Sequence, residues 1–163
     1  MAADPPRAAA HTGAASWLAV VCGGQGLLFP LQGAGEIFPL PDLLPVPHTR
    51  AWFAGVANLR GSLHGVVDLA AFLGLPPPAT SAAEPPKLLA LNPGLSSHCA
   101  LLLESLAGLR GAAQMNPEPL DAAPRPAFAL GRWRDPAGRV WQELDLAALA
   151  ADPAFLDIAE PPR

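Results

Sequence analysis

The side chains best suited to chemistry are concentrated in residues 52–74. Arg60 stands in the run Asn58-Leu59-Arg60-Gly61, where Asn and Gly favour a tight turn. At such a turn the guanidinium would point away from the core and offer its rigid donors to a carboxylate of a binding partner. The alternative is that Arg60 braces its own turn through backbone carbonyls or a nearby carboxylate such as Asp68. His64 and Asp68 could meet as a general base and its orienting group, or His64 could be a surface histidine beside a helix cap.

The rest of the chain offers little for catalysis or for metal or phosphate binding. The Gly23–Gly26 run lacks the Lys-Ser/Thr of a phosphate loop, so we expect a hairpin turn there. Trp133 and Trp141 flank two arginines, but the neighbouring acidic residues favour packing over nucleic-acid stacking. The histidines show no metal-ligand spacing and are His11, His48, His64 and His98. The sequence therefore predicts no catalytic residue, no metal and no cofactor.

Residues 52–74 also predict the elements that would position Arg60. Trp52 to Ala57 is an apolar strand candidate, and Ser62 to Val67 is a second one with Leu63 facing away from Ser62 and His64. Asp68 stands where a helix N-cap belongs, and Gly74, followed by three prolines, ends that short helix. The pattern is a strand, a tight turn, a strand and a capped helix.

The same pattern returns near the end of the chain at a constant offset of 77 residues, which relates Gly61 to Gly138 and Asp68 to Asp145. The match is either chance in an Ala-rich chain or the sign of two similar β units that pack together. Further strands are expected at 17–22, 27–31, 36–40, 87–92 and 99–104, with a hairpin turn at 135–138, a proline-rich surface linker at 75–86 and a loop at 116–126.

The central block carries a resemblance to a known family. Gly55-Val56-x-Asn58-x-Arg60-Gly61, followed by Val66-Val67-Asp68-Leu69, resembles the core signature of CheW-like domains, the coupling proteins of bacterial chemosensory arrays. The likeness covers most of residues 17–157 and is nearest to the PilI branch, which serves type IV pilus motility. It implies a mainly β fold of two small SH3-like five-stranded β-barrels packed around a shared hydrophobic core, with short helices.

The resemblance also implies a function and a site. Such a protein would be a non-enzymatic adaptor between the cytoplasmic tip of a methyl-accepting chemoreceptor and the regulatory domain of a CheA-type histidine kinase. Arg60 matches an arginine implicated in coupling, with Asn58 and Gly61 forming its turn, and Glu36-Ile37 matches a pair on the receptor-facing strand. The circuit would be twitching motility; the alternatives are flagellar chemotaxis or, from the residues alone, an enzyme with a site near His64 and Asp68.

Composition limits these possibilities. The 163 residues suit one domain, which we expect at 16–163 after a flexible tail at 1–15. Half of the residues are hydrophobic, the net charge is −4 and the basic residues are scattered, so nucleic-acid binding is not expected. No apolar run approaches a membrane span, and we expect a cytoplasmic protein that joins membrane receptor arrays through its partners. Cys22 and Cys99 are expected to be buried free thiols rather than a disulfide or redox pair.

Overall fold

A computed structural model of the protein describes residues 16–77, 85–95 and 98–160. Two sheets, in which most strand pairs are antiparallel, form the framework of this part of the chain, and each curls into a small barrel. The tail expected at 1–15 and the middle of the expected 75–86 linker lie outside the described residues. The predicted mainly β fold of two SH3-like barrels is confirmed.

The first barrel has strands from both ends of the chain, in the order β8-β1-β2-β11-β10-β9. Its strands are β1 (Trp17–Cys22), β2 (Gln25–Pro30), β8 (Ser105–Arg110), β9 (Asn116–Glu118), β10 (Ala129–Arg134) and β11 (Val140–Leu144). The second barrel is formed by the middle of the chain, in the order β3-β6-β7-β5-β4. Its strands are β3 (Ala34–Pro39), β4 (Phe53–Leu59), β5 (Ser62–Asp68), β6 (Lys87–Leu91) and β7 (Cys99–Leu103). Closure of the second barrel comes from Leu44, whose backbone exchanges two hydrogen bonds of 2.8 and 2.9 Å with Val56.

The two barrels share one topology. In each barrel, the second strand of a hairpin pairs in parallel with its neighbour in the sheet. These parallel pairs are β5 with β7 in the second barrel and β11 with β2 in the first. The three remaining strands of the second barrel each have an equivalent in the first, with β4 equivalent to β10, β6 to β1 and β3 to β8, and β9 is an extra strand of the first barrel. This correspondence supports two similar units over a chance repeat in the sequence.

The α-helices of the described residues are α1 (Leu69–Phe72), α2 (Leu146–Ala151) and α3 (Pro153–Leu156), and the first two follow the predicted capping chemistry. The Asp68 carboxylate accepts from the Ala71 N–H, and Asp145 accepts from two amides of α2. Gly74 has φ +75°, and the amides of Gly74 and Leu75 bind the carbonyls of Ala71 and Ala70, which is a Schellman ending. Each hairpin thus runs directly into a capped helix, as the sequence predicts.

Hydrophobic side chains form three clusters. Successive residues of β1 alternate between two of them, because neighbouring side chains of a strand point to opposite faces. Trp17 and Ala19 fill the inside of the first barrel, whereas Leu18 and Val20 join the core shared by the two barrels. A third cluster, which includes Val66, fills the second barrel. The predicted shared core is therefore accompanied by a separate small core in each barrel.

Two expectations about the elements are wrong, and one strand was missed. Residues 116–126 are not all loop, because Asn116–Glu118 pairs with β10 as β9 and gives the first barrel a sixth strand. The stretch Ser105–Arg110 is a strand that the sequence pattern did not reveal, since its alternation is broken by a bulge opposite Ala19 and Val20. The four-residue turn expected at Gly23–Gly26 is a two-residue turn, with positive φ at Gly23 and Gly24.

Cys22 and Cys99 are both buried and free, as predicted. Burial raises the pKa of each thiol to about 12. Because the thiolate is the reactive form, we expect neither cysteine to react with a disulfide reagent in the folded protein at neutral pH. Both should react once urea unfolds the chain. Rapid labelling of a thiol in the native state, measured by absorbance, would contradict this burial.

No helix in the described ranges is long and apolar enough to cross a membrane.

Candidate functional site

The turn between β4 and β5 consists of Arg60 and Gly61, which have φ values of +52° and +83°. Positive φ at both central residues is the mark of a type I′ hairpin turn, whose twist matches that of the strands. The Asn58 side chain supports the turn, because its Oδ1 accepts from the Gly61 N–H at 2.9 Å. Asn58 and Leu59 themselves belong to β4, so the turn is shorter than the expected four residues.

Replacing Gly61 with valine should destabilise the protein. A Cβ at this position meets no atom within 4 Å, so the cost comes from the backbone, where a β-branched residue at positive φ is strained by about 1–3 kcal/mol. Gly131 is a matched control because a Cβ there is also free of contacts and its φ is not positive. Urea denaturation should show a lower free energy of unfolding for Gly61→Val than for Gly131→Val; equal values would mean that the turn does not need glycine.

Arg60 forms an ion pair with Glu36 of β3. Its Nε lies 2.7 and 2.9 Å from the two carboxylate oxygens of Glu36, and its Nη2 lies 2.5 Å from Oε2. This hydrogen bonding lowers the pKa of the Glu36 carboxyl below its usual value and raises that of Arg60. The alternative that Arg60 binds Asp68 is wrong, because the Asp68 carboxylate caps α1. Two residues that the sequence singled out separately therefore meet in space.

The pair is open to solvent. The Arg60 side chain is 73% exposed and that of Glu36 is 45% exposed. An exposed ion pair adds little to the stability of a fold, because water screens it and two long side chains must be held in place. A partner can therefore approach Glu36 and Arg60 without unfolding any part of the barrel.

An exposed apolar surface adjoins this ion pair, and the sequence analysis missed most of it. Val56 is paired with Leu44 on one side and Gly65 on the other, and Asn58 is paired with Leu63. Paired residues share a face of the sheet, so we call Leu44, Val56, Asn58 and Leu63 the hairpin face. Leu44 is 68% and Leu63 66% exposed. Such exposure of large aliphatic side chains is typical of a protein-binding surface.

Ile37, the other residue expected at the site, is also partly exposed on β3 beside Glu36. It lies opposite Leu89 of β6. The structure thus brings Glu36, Ile37, Asn58, Arg60 and Gly61 to the second barrel. Leu44 was hidden from sequence reasoning by the prolines around it, which suggested only an irregular segment.

His64 and Asp68 do not form a catalytic pair. They are four residues apart on β5, which separates their backbones by about 13 Å. The Nδ1 atom of His64 lies 3.1 Å from the Ser62 carbonyl, and Asp68 is engaged at the helix cap. The alternative of an enzyme site built on His64 and Asp68 is therefore wrong in its geometry.

The tryptophans of the first barrel are packing residues, as predicted. The indole N–H groups of Trp17 and Trp133 donate to the two carboxylate oxygens of Glu143, at 3.1 and 3.0 Å. Trp141 is buried, and its N–H donates to Asp135 at 2.9 Å. The packing role is also supported by the burial of Trp17 and Trp141 and by the contact of Trp133 with Trp17, whose ring centroids are 4.9 Å apart.

A cleft of about 1070 Å³ lies between the barrels, with Trp52, Phe72 and Phe128 among its walls. Its arginines already have partners, since Arg50 binds Asp157 at 2.6 Å and Arg132 binds Gln142 at 3.1 Å. The described lining contains no serine, cysteine, histidine or lysine. Its three aspartates are engaged within the chain, Asp121 and Asp152 by backbone N–H groups and Asp157 by Arg50. The described lining therefore offers apolar contacts and carboxylates that already have partners.

A two-barrel fold with an exposed charged and apolar surface defines a protein-binding module. The family model of the CheW-like domain matches residues 16–154, and the chain belongs to this family. CheW-like proteins are coupling and scaffold proteins rather than enzymes.

Individual relatives match over shorter stretches. Protein PilI of Pseudomonas aeruginosa is 38% identical over 52 residues, which is 32% of this chain and 29% of PilI. The chemotaxis protein CheW of Thermotoga maritima is 39% identical over 51 residues, 31% of this chain and 34% of that protein. The matched stretches thus span about a third of either relative. The crystal structure of the scaffolding protein TtCheW from Thermoanaerobacter tengcongensis has the same fold, with a TM-score of 0.64 and 15% identity over 80% of this chain and 88% of that one.

Proposed function

We propose that this protein is a cytoplasmic adaptor that couples the tips of methyl-accepting chemoreceptors to a CheA-type histidine kinase. The observation that carries the proposal is the meeting of Arg60 and Glu36 beside the exposed hairpin face, on a domain of the CheW-like family. A charged pair next to aliphatic side chains supplies both orientation and buried area to an interface. No cofactor is required for this role.

The adaptor would act by changing the populations of the signalling states of its partners. A receptor signal reaches the kinase only if the adaptor binds two receptor or kinase states with different affinities. Each contact can be weak, because an array presents many receptors and kinases together and raises the effective concentration. The exposed Arg60–Glu36 pair suits such a role, since a partner carboxylate could compete for the guanidinium donors without disturbing the core.

We propose that the pathway is the one that controls type IV pilus motility. The short match to PilI supports this circuit, and the match to the Thermotoga maritima CheW, of similar length and identity, supports the alternative of flagellar chemotaxis. The two circuits differ in their receptors and kinases. Deletion of the gene should abolish twitching in the first case and swimming chemotaxis in the second.

Arg60→Ala should weaken partner binding while leaving the fold intact. We expect the affinity for the receptor's cytoplasmic hairpin, for the kinase's regulatory domain, or for both to fall by about tenfold or more, as at an interface hot spot. Arg134→Ala is the matched control, because Arg134 forms a less exposed but otherwise similar pair with Glu118 on the first barrel. Isothermal titration calorimetry with each purified partner measures the effect, and the melting temperature of both variants should stay near that of the wild type.

Three outcomes would count against the proposal. Unchanged affinity of Arg60→Ala for both partners would remove Arg60 from the interface. Absence of binding by the wild-type protein to either partner would leave a CheW-like fold with another role. An equal loss in Arg134→Ala would show a general effect of charge rather than a contact at the second barrel.

A further inference from the structure

Two histidines lie side by side at one end of the second barrel. Gly65 of β5 is paired with Cys99 of β7 in a parallel register, and the Gly65 N–H donates to the His98 carbonyl at 3.0 Å. The residues before each, His64 and His98, are therefore neighbours on the same face of the sheet. Their ring centroids are 5.6 Å apart, with an angle of 51° between the ring planes.

The surroundings of these rings are unusual for a packing role. The next row on the same face is Val66 and Ala100, which are both fully buried in the core of the second barrel. An apolar pair would close this end of the core at no desolvation cost, whereas polar rings next to a core lose some hydration. His64 is half-buried and His98 is exposed, so solvent and ions reach the pair.

The hydrogen bond of His64 determines which of its nitrogens is free. Nδ1 lies 3.1 Å from the backbone carbonyl of Ser62. A carbonyl oxygen only accepts, so Nδ1 carries the proton and Nε2 keeps its lone pair. A backbone carbonyl that holds the far nitrogen of an imidazole is the usual support of a metal-binding histidine.

We propose that His64 and His98 form a binding site for a divalent transition-metal ion of the Zn²⁺, Ni²⁺ or Cu²⁺ class. Imidazole suits these ions, with metal–nitrogen distances of about 2.0–2.1 Å. An ion at that distance lies about 3.2 Å from a ring centroid, so two rings can share it only when their centroids are within about 6.4 Å. The observed separation of 5.6 Å meets this condition.

Water completes the coordination of the ion. No group of three or more histidine, cysteine, aspartate or glutamate side chains that could hold a metal occurs in the part of the chain that the structure describes. The site is therefore open to a further ligand. The spacing of 34 positions between His64 and His98 explains why the sequence pattern predicted no metal.

The test is a titration of the full, untagged chain with zinc chloride in a non-chelating buffer at about pH 7.5, where imidazole is neutral. Calorimetry should show that one zinc ion binds per chain. The melting temperature of the protein should rise when zinc is present. His64→Gln and His98→Gln should each weaken zinc binding by about tenfold or more, because each variant keeps only one of the two imidazoles that hold the ion together. His48→Asn is the control, since His48 is exposed and its φ of +62° suits asparagine.

A second measurement keeps the test decisive if a variant unfolds. Ni²⁺ added to the wild-type protein should broaden the NMR signals of His64 and His98 before any others. Binding that survives in His64→Gln, broadening centred on another residue, or no saturable binding up to about 1 mM zinc would overturn the site. Arg60→Ala should bind zinc like the wild type, so failure of this inference is separate from failure of the proposed adaptor function.

Discussion

Replacing Phe155 with alanine should lower the free energy of unfolding by about 3–5 kcal/mol, the cost usual for deleting a buried phenylalanine. Phe155 is 4% exposed and belongs to the shared core. Its ring stacks on Trp52 at 6.3 Å and meets the edge of Phe72 at 5.3 Å. The expected loss is a large fraction of the stability of a typical domain.

The effect of Phe155→Ala should also show how the end of the chain docks. Beyond α3, the Arg50 side chain donates hydrogen bonds to both the backbone carbonyl and the carboxylate of Asp157. Thr49 also forms an isolated β-bridge with Ala159. These contacts bring the terminal segment onto the second barrel. Hydrogen exchange of the terminal amides should rise in the variant if Phe155 anchors this segment.

Leu156→Ala is the control for Phe155→Ala. Leu156 is the next residue of the same helix and is 63% exposed, so its truncation should change stability by less than about 0.5 kcal/mol. Urea denaturation with a common slope for all three proteins measures the difference. Similar losses in the two variants would mean that the helix, and not the buried ring, carries the effect.

Gly55→Ala should be the most damaging of the glycine substitutions in the second barrel. Gly55 has φ +137°, and a Cβ there would lie 2.6 Å from the Leu44 carbonyl oxygen. Strained backbone costs about 1–3 kcal/mol, and overpacking costs about the same again. The Leu44–Val56 pairing that closes the barrel must shift to admit the methyl group, so we expect the hairpin face to be disturbed as well.

Two other glycines separate the cost of the positive φ from the cost of the close contact with Leu44. Gly138 has φ +90° but open space around its Cβ position, and Gly131 has open space without a positive φ. The free energies of unfolding should therefore fall in the order Gly131→Ala, Gly138→Ala, Gly55→Ala, with the last lowest. If Gly55→Ala and Gly138→Ala were equally stable, the close approach of Leu44 would have no energetic consequence.

Local chemistry explains what was predictable. The Asn58-to-Gly61 turn, the Asp68 and Asp145 caps and the ending at Gly74 each depend on residues within a few positions of one another. Strands with clear apolar patterns, such as β1 and β6, were likewise found to within a residue or two. Strand β9 was missed because its three residues include a proline, and only the neighbouring β10 supplies the pairing that makes it a strand.

The sequence by itself determined the position of the arginine turn, because alternation, capping and turn residues act over short distances, and its resemblance to CheW-like domains indicated the fold class and the family. Tertiary structure alone decided which separated residues meet: Glu36 with Arg60, Leu44 with Val56, and His64 with His98. Those encounters depend on strand order and register, and nothing local specifies either one. Closing each barrel brings distant strands together, and this closure builds the surface and the histidine pair.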